Sequence, residues 1–136
     1  VADRRVRVIL KGLNRLTEKV VTKITLDVTA NLIETTPVDT GWARANWVPS
    51  IGQPVIKNLP PSKPDDSQVV AGAAAEQATA TAGILAYKLK AGKVFVANNV
   101  PYIIALNDGS SSKAPAGFVQ QAIAKAVTSD IRGLKV

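Results

Sequence analysis

Residues 4–35 read RRVRVILKGLNRLTEKVVTKITLDVTANLIET. Apolar residues fall at Val6, Ile9, Leu13, Leu16, Val20, Ile24, Val28 and Leu32. Every step is three or four residues, which is the repeat of one face of an α-helix. Asp3 stands where a cap is needed, and Pro37 disfavours helical backbone at Thr36. A helix over 4–35 would be about 45–50 Å long at 1.5 Å per residue. The chain has 136 residues, the size of one ordinary domain. A helix of that length outruns what such a domain covers, so part of it is expected to project or to lie along a neighbour. Its second half is rich in Thr and Val, which are weak helix formers, so packing rather than propensity should hold it.

Outward from this helix, Thr36-Pro37-Val38-Asp39-Thr40-Gly41 reads as a tight turn. Pro fixes the backbone, Asp39 can bond an N–H two residues on, and Gly41 tolerates positive φ. Trp47, Pro49 and Ile51 alternate with other residues, which predicts a short strand at a sheet edge or bulge because of the proline. Residues 52–64 hold Pro54, Pro60, Pro61 and Pro64 and predict a flexible loop. Asp65 and Gln68 resemble a capping box for an Ala-rich helix that would run to Lys88 and Lys90, with Gly92 beyond. Lys93 to Ala97 predicts a strand buried on both faces. Asn98-Asn99-Val100-Pro101 turns the chain, Tyr102 to Leu106 is a short apolar run, and Asn107-Asp108-Gly109 with the serines after it is a loop. Pro115 would start a final helix carrying Phe118, Val119, Ala122, Ile123, Ala126 and Val127 on one stripe. The expected class is α+β, in one domain over 1–136. A long N-terminal helix and a C-terminal helix would pack on a small, mostly antiparallel sheet, with an Ala-rich middle helix.

Composition narrows the chemistry. Lys and Arg number 17 against 10 Asp and Glu, a net +7, and Cys, His and Met are absent. There is no disulfide framework, no His-based nucleophilic triad and no Cys/His zinc site. The Arg-rich start lacks the apolar stretch and small-residue cleavage site of a signal peptide. The segment from Val69 to Ala86 is too weakly apolar for a membrane span. Gly92-Lys93 fails as a P-loop, since Tyr87 stands at the leading glycine and Val94 at the required Ser or Thr. Asp65-Asp66 read as helix caps, Asp108 as a turn residue, and Ser110, Ser111 and Ser112 have no His to activate them. No enzyme, no metal and no cofactor is expected.

Charge is concentrated at one end. Arg4, Arg5, Arg7, Lys11, Arg15, Lys19 and Lys23 face only Asp3 and Glu18 within residues 1–25. On a helix, Arg4, Lys11 and Arg15 share a side away from Ile9 and Leu13. Such a face is either solvated, or meets phosphate backbone, or docks on acidic groups of another protein. No aromatic residue interleaves with these cations, so a stacking platform for single strands is missing. A membrane-surface role is disfavoured because the apolar face carries no Trp or Phe.

Two stretches carry a family resemblance. The first is Pro37, Asp39, Thr40 and Gly41, followed by Arg44, Asn46 and Trp47. The second runs through Val96, Ala97, Asn98, Asn99, Pro101, Tyr102, Leu106, Asn107, Asp108, Gly109 and Ser110. It continues as Ala114, Pro115, Ala116, Gly117, Phe118 and Val119. With a long helix before and a variable loop between, this arrangement resembles the tail-completion (neck, minor tail) proteins of long-tailed bacteriophages, the lambda-like minor tail protein family. Trp42 departs from the basic or aliphatic residue expected there.

The resemblance implies a non-enzymatic virion protein at the head–tail junction, assembled in the host bacterial cytoplasm. Such a protein forms a ring at the top of the tail, six-fold or twelve-fold, and helps the tail join a DNA-filled head. Its implied neighbours are tail-terminator and head-completion or connector proteins, with sequence-independent contact to phage DNA and none to a membrane. Arg4, Arg5, Arg7, Lys11 and Arg15 are the candidate DNA-facing or docking residues. The alternative is a small basic nucleic-acid-binding protein.

Overall fold

The computed structural model describes residues 3–38, 41–57 and 67–134. Helix α1 spans Arg4–Thr35, with the Asp3 carboxylate accepting the Arg5 N–H at 3.4 Å. It ends as expected: Thr36 turns extended ahead of Pro37, and its N–H closes on the Leu32 carbonyl. Four residues of its second half are buried: Thr25, Val28, Thr29 and Leu32. The two threonines are admissible there because each hydroxyl donates to the carbonyl four residues back, Val21 for Thr25 and Thr25 for Thr29, both at 2.7 Å. No polar atom of theirs is stranded, and β-branched side chains stay compatible with a packed helix.

After α1, Gly41 adopts φ +87° and starts the one-turn helix α2, Trp42–Ala45. The expectation of a positive-φ glycine holds here. A β-carbon at this position would also stand 3.3 Å from Val70 Cγ1, a tight contact. Strand β1, Val48–Ile51, pairs antiparallel with β2, Val94–Ala97, in the register Val48↔Ala97 to Ile51↔Val94. Among the described residues the sheet has two strands, so each is an edge, which is why Pro49 is tolerated. The same fact corrects the expectation for β2. Its four residues are half-buried rather than buried on both faces, because only one partner strand flanks it. Two strands alone are marginal, and helices supply the missing cover, α3 against β1 and α1 against β2.

Helix α3 spans Ser67–Gly83. It is shorter than the expected run to Lys88–Lys90. Beyond Gly83 the chain tightens into two 3-10 turns, Ile84–Ala86 and Leu89–Ala91. In a three-residue turn, side chains three apart eclipse. That lets Ile84 and Tyr87 both enter the interior, at 1% and 5% exposure. The proposed capping residue Asp65, and residues 58–64 of the expected loop, lie outside the described residues, as do Asp39 and Thr40. Residues 52–57 form no regular element after β1.

The run Tyr102–Leu106 forms α4, Ile103–Asn107. The last helix, α5, spans Phe118–Arg132 and begins three residues later than Pro115. Gly117 at φ +78° is its cap, and Gly117 N–H reaches the Asn107 carbonyl at 2.7 Å, so Pro115 sits in the turn before the helix. Helix α5 packs antiparallel on α1. Asn31 Nδ2 donates to the Ala122 carbonyl at one end of their contact, and Lys23 meets Asp130 at the other. The main core lies between these helices and the sheet: Val28, Leu32, Trp47, Ala122 and Ala126. The alanines let the two helices approach closely. A second cluster of Ala45, Val48 and Ala73 joins α2, β1 and α3. The fold is thus α+β and helix-rich, with a long N-terminal and a C-terminal helix on a small antiparallel sheet.

Candidate functional site

Every residue from Asp3 to Arg15 is exposed, so the first turns of α1 form an arm. Arg4 to Arg15 make it about 18 Å long. Its large apolar side chains stand about half in water or more: Val6 46%, Ile9 61%, Leu10 51% and Leu13 54% exposed, with Val8 at 64%. The helical repeat explains the pattern. Residues eighteen apart are five full turns apart and share one azimuth. Val6, Leu10 and Leu13 therefore stand directly above Ile24, Val28 and Asn31. Those three face α5 through the core and through the bond to Ala122. The arm's apolar stripe is the continuation of the α5-facing stripe, past the point where α5 stops.

The opposite side of the arm carries charge. Arg4, Lys11 and Arg15 lie within about 40° of one another and face roughly away from Val6, Ile9 and Leu13. Arg4 stands five turns above Thr22. Thr22 lines an open groove of about 550 Å³ between α1 and the 3-10 turns. Arg15, Lys19 and Lys88 rim this groove, and Leu26 and Leu85 contribute its apolar surface. The Glu18 carboxylate accepts the Leu89 N–H at 2.7 Å, which holds the Lys88–Leu89 peptide against α1. Lys23 is neutralised: its ammonium lies 2.7 Å from Asp27 and 3.2 Å from Asp130. Among the described residues Arg15, Lys19 and Lys88 have no ion pair.

Lys23, Asp27 and Asp130 form the α1–α5 polar contact. The Asp130 side chain is 6% exposed, and its Oδ2 is buried without a hydrogen-bond partner. Burial, and then the neighbouring Asp27 carboxyl, push the Asp130 carboxyl above the usual carboxylate range. The Lys23 hydrogen bond holds Asp27 below it, and the bond to Asp27, with that to Asp130, raises Lys23.

Among the described residues, those quoted for the family resemblance do not gather around one groove, and several of them pack together from distant stretches. Trp42, Ala43 and Val100 cluster together, with Ile103 and Leu106 against them. The Trp42 and Tyr102 rings lie 6.0 Å apart at 55°. Asn98 Nδ2 donates to the Ala43 carbonyl at 2.8 Å, and its Oδ1 accepts the Val100 N–H. Asn99 Nδ2 reaches the Val55 carbonyl at 2.7 Å. Asn107 Oδ1 accepts the Val119 N–H while its Nδ2 donates to Gln120, which ties α4 to the first turn of α5. Ala114 and Phe118 are buried; Pro101, Asp108, Gly109, Ser110 and Pro115 are exposed, and Pro37 and Gly117 are half-buried.

All five predicted cations, Arg4, Arg5, Arg7, Lys11 and Arg15, are exposed on the arm. Lys88, Glu18 and the Asp27–Asp130 pair were not anticipated. Lys88, Glu18 and Asp130 acquire their roles from distant stretches of the chain, so nothing local marks them, whereas Asp27 carries a local signal in its i,i+4 spacing to Lys23. Among the described residues no three acidic, His or Cys side chains cluster for a metal ion, and no helix is long and apolar enough to cross a membrane. The chain matches no protein-family model, no curated protein and no solved structure. The fold and the arm define a class: a small helix-rich α+β domain that presents an amphipathic, basic helix beyond its own core.

Proposed function

We propose that this chain is a structural virion protein of the head–tail junction, a tail-completion or neck subunit that forms a ring at the top of the tail and enables joining to the DNA-filled head. The resemblance of residues 36–47 and 96–119 to the tail-completion family supplies the setting. The observation that carries the assembly reading is the arm: a stripe continuous with the core seam, covered by no residue of its own chain among those described. A non-enzymatic role fits the lack of a nucleophile–base–orienter set in the sequence.

Charge bears on how copies would meet. Of the acidic residues, only Asp3 accompanies Arg4, Arg5, Arg7, Lys11 and Arg15 on the arm. Side-by-side pairing of two arms sets like charges against each other. Seating an arm on a neighbour's body avoids that, and such a heterologous contact, repeated by rotation, closes a ring. Six-fold or twelve-fold closure, between a tail-terminator and a head-completion ring, is the arrangement proposed.

Leu13→Asp or Leu16→Asp tests this reading. Either should block incorporation into tails while the free subunit keeps its helical circular dichroism. Infectious tails at normal yield from both variants would refute it. The alternative, a small basic nucleic-acid-binding protein, is favoured by the exposed cations of the arm and predicts a free monomer or dimer in sedimentation, with no ring on tail ends.

A further inference from the structure

The basic face of the arm does not end where the arm meets the body. Lys11, Arg15 and Lys19 follow one another at single turns of α1, about 6 Å apart, and Arg4 lies about 10 Å beyond Lys11. At Arg15 and Lys19 the row meets the groove, where Lys88 joins it from the facing 3-10 turns. Sequence places Lys88 far from this row; Glu18 brings it there by fixing the Leu89 N–H. Two carboxylates line the same groove. Asp27 is paired with Lys23, and Glu18 accepts the Leu89 N–H, so the three cations Arg15, Lys19 and Lys88 outnumber the one carboxylate left without a cation.

We propose that Arg4, Lys11, Arg15, Lys19 and Lys88 form one continuous track that binds the phosphodiester backbone of a nucleic acid, independent of sequence. The track is linear and about 22 Å long on α1 alone. A strand with one phosphate per about 3.4 Å presents two or three phosphates per step of this row. The cations are exposed, long and unpaired, which suits counterion-releasing contacts. Nothing in the groove reads bases. Tyr87 is 5% exposed and its hydroxyl donates to the Gly92 carbonyl at 2.8 Å, so no ring is offered for stacking. Leu85, 69% exposed, offers apolar surface to sugar carbons. An acidic polypeptide is the weaker match, since it would have to bring carboxylates into line over the same length, whereas phosphates arrive at fixed spacing. The track lies opposite the arm's apolar stripe, so this inference does not depend on the assembly reading; it rests on the nucleic-acid-binding alternative and deepens it by adding Lys19, Lys88 and the groove that joins them.

The test uses the full chain and a fluorescent mixed-sequence duplex of about 30 base pairs, with anisotropy followed from about 50 to 200 mM salt. Lys19→Gln with Lys88→Gln should weaken low-salt affinity about tenfold or more. It should also lower the slope of log K against log salt by about 2, near 0.9 for each lost phosphate contact. Lys57→Gln, on a different surface beside Val55 and Glu76, should change neither. Two duplexes of unrelated sequence should bind equally. An unchanged slope in the double variant overturns the proposal. So does displacement of the duplex by polyglutamate at equal charge concentration, which would assign the groove to an acidic polypeptide.

Discussion

The indole N–H of Trp47 donates to the hydroxyl of Thr36 at 2.7 Å, and that hydroxyl donates in turn to the Leu32 carbonyl. Thr36 is the residue that ends α1, and Trp47 is the residue before β1. All three groups are buried, so one short chain of hydrogen bonds fixes the angle at which the long helix leaves the sheet. Thr36→Val keeps the shape but strands the indole donor. The expected cost is about 1–3 kcal/mol, read from urea unfolding by tryptophan fluorescence. Adding Trp47→Phe should recover part of that loss, because the orphaned donor is then gone. A double variant whose two losses simply add would show that the bond contributes nothing.

Asn107 and Asp108 are adjacent but do different work. Asn107 bonds both the Val119 N–H and the Gln120 side chain across the α4–α5 corner, whereas Asp108 is exposed at the end of α4. Asn107→Leu should cost about 1–3 kcal/mol through the helix N–H it leaves unpaired. Asp108→Asn should stay within about 0.5 kcal/mol and, under the proposed neck role, leave incorporation into tails intact. A folded Asp108→Asn variant without function would reopen a chemical role for this carboxylate.

The Lys23–Asp27–Asp130 contact makes stability depend on pH, with opposite signs for its two carboxyls. Asp130 is raised by burial, so it holds its proton more tightly folded than unfolded. Its contribution is fully present below the unfolded carboxylate range and is lost as pH rises through the folded pKa. Asp27 is lowered by Lys23, so its contribution is present above that range and is lost as pH falls through its folded pKa. In Asp130→Asn the loss on rising pH should disappear while the acid-side loss remains. Urea midpoints measured across pH read both slopes. Identical pH profiles for the wild type and the variant would contradict the burial argument.

Much of the architecture is legible in residue order because local rules decide it. The three-and-four spacing from Val6 to Leu32, the break at Pro37 and the glycine at Gly41 each act within a turn or two of themselves. The errors share a cause. The Ala-rich helix stops at Gly83 because Ile84 and Tyr87 must both reach the interior, a demand set by the core and not by helix propensity. Helix α5 starts at Phe118 because Gly117 bonds Asn107, ten residues back, and Pro115 alone cannot reveal that. Strand β2 is half-buried because, among the described residues, the sheet stops at two strands, a count that no alternation pattern contains.

The amino-acid order by itself determined that α1 is amphipathic, with cations opposite an apolar stripe, because a fixed 100° step converts order into faces. It also determined that no Cys- or His-based chemistry is available. Only the tertiary structure decided which part of the stripe is core and which is arm, because that depends on where α5, with half the length of α1, runs out. Only the tertiary structure brought Lys88 to Arg15 and Lys19, through the Glu18–Leu89 bond across seventy-one positions. Helix faces follow from geometry within one segment. A groove needs two segments, and their meeting is set by the packing of everything between them.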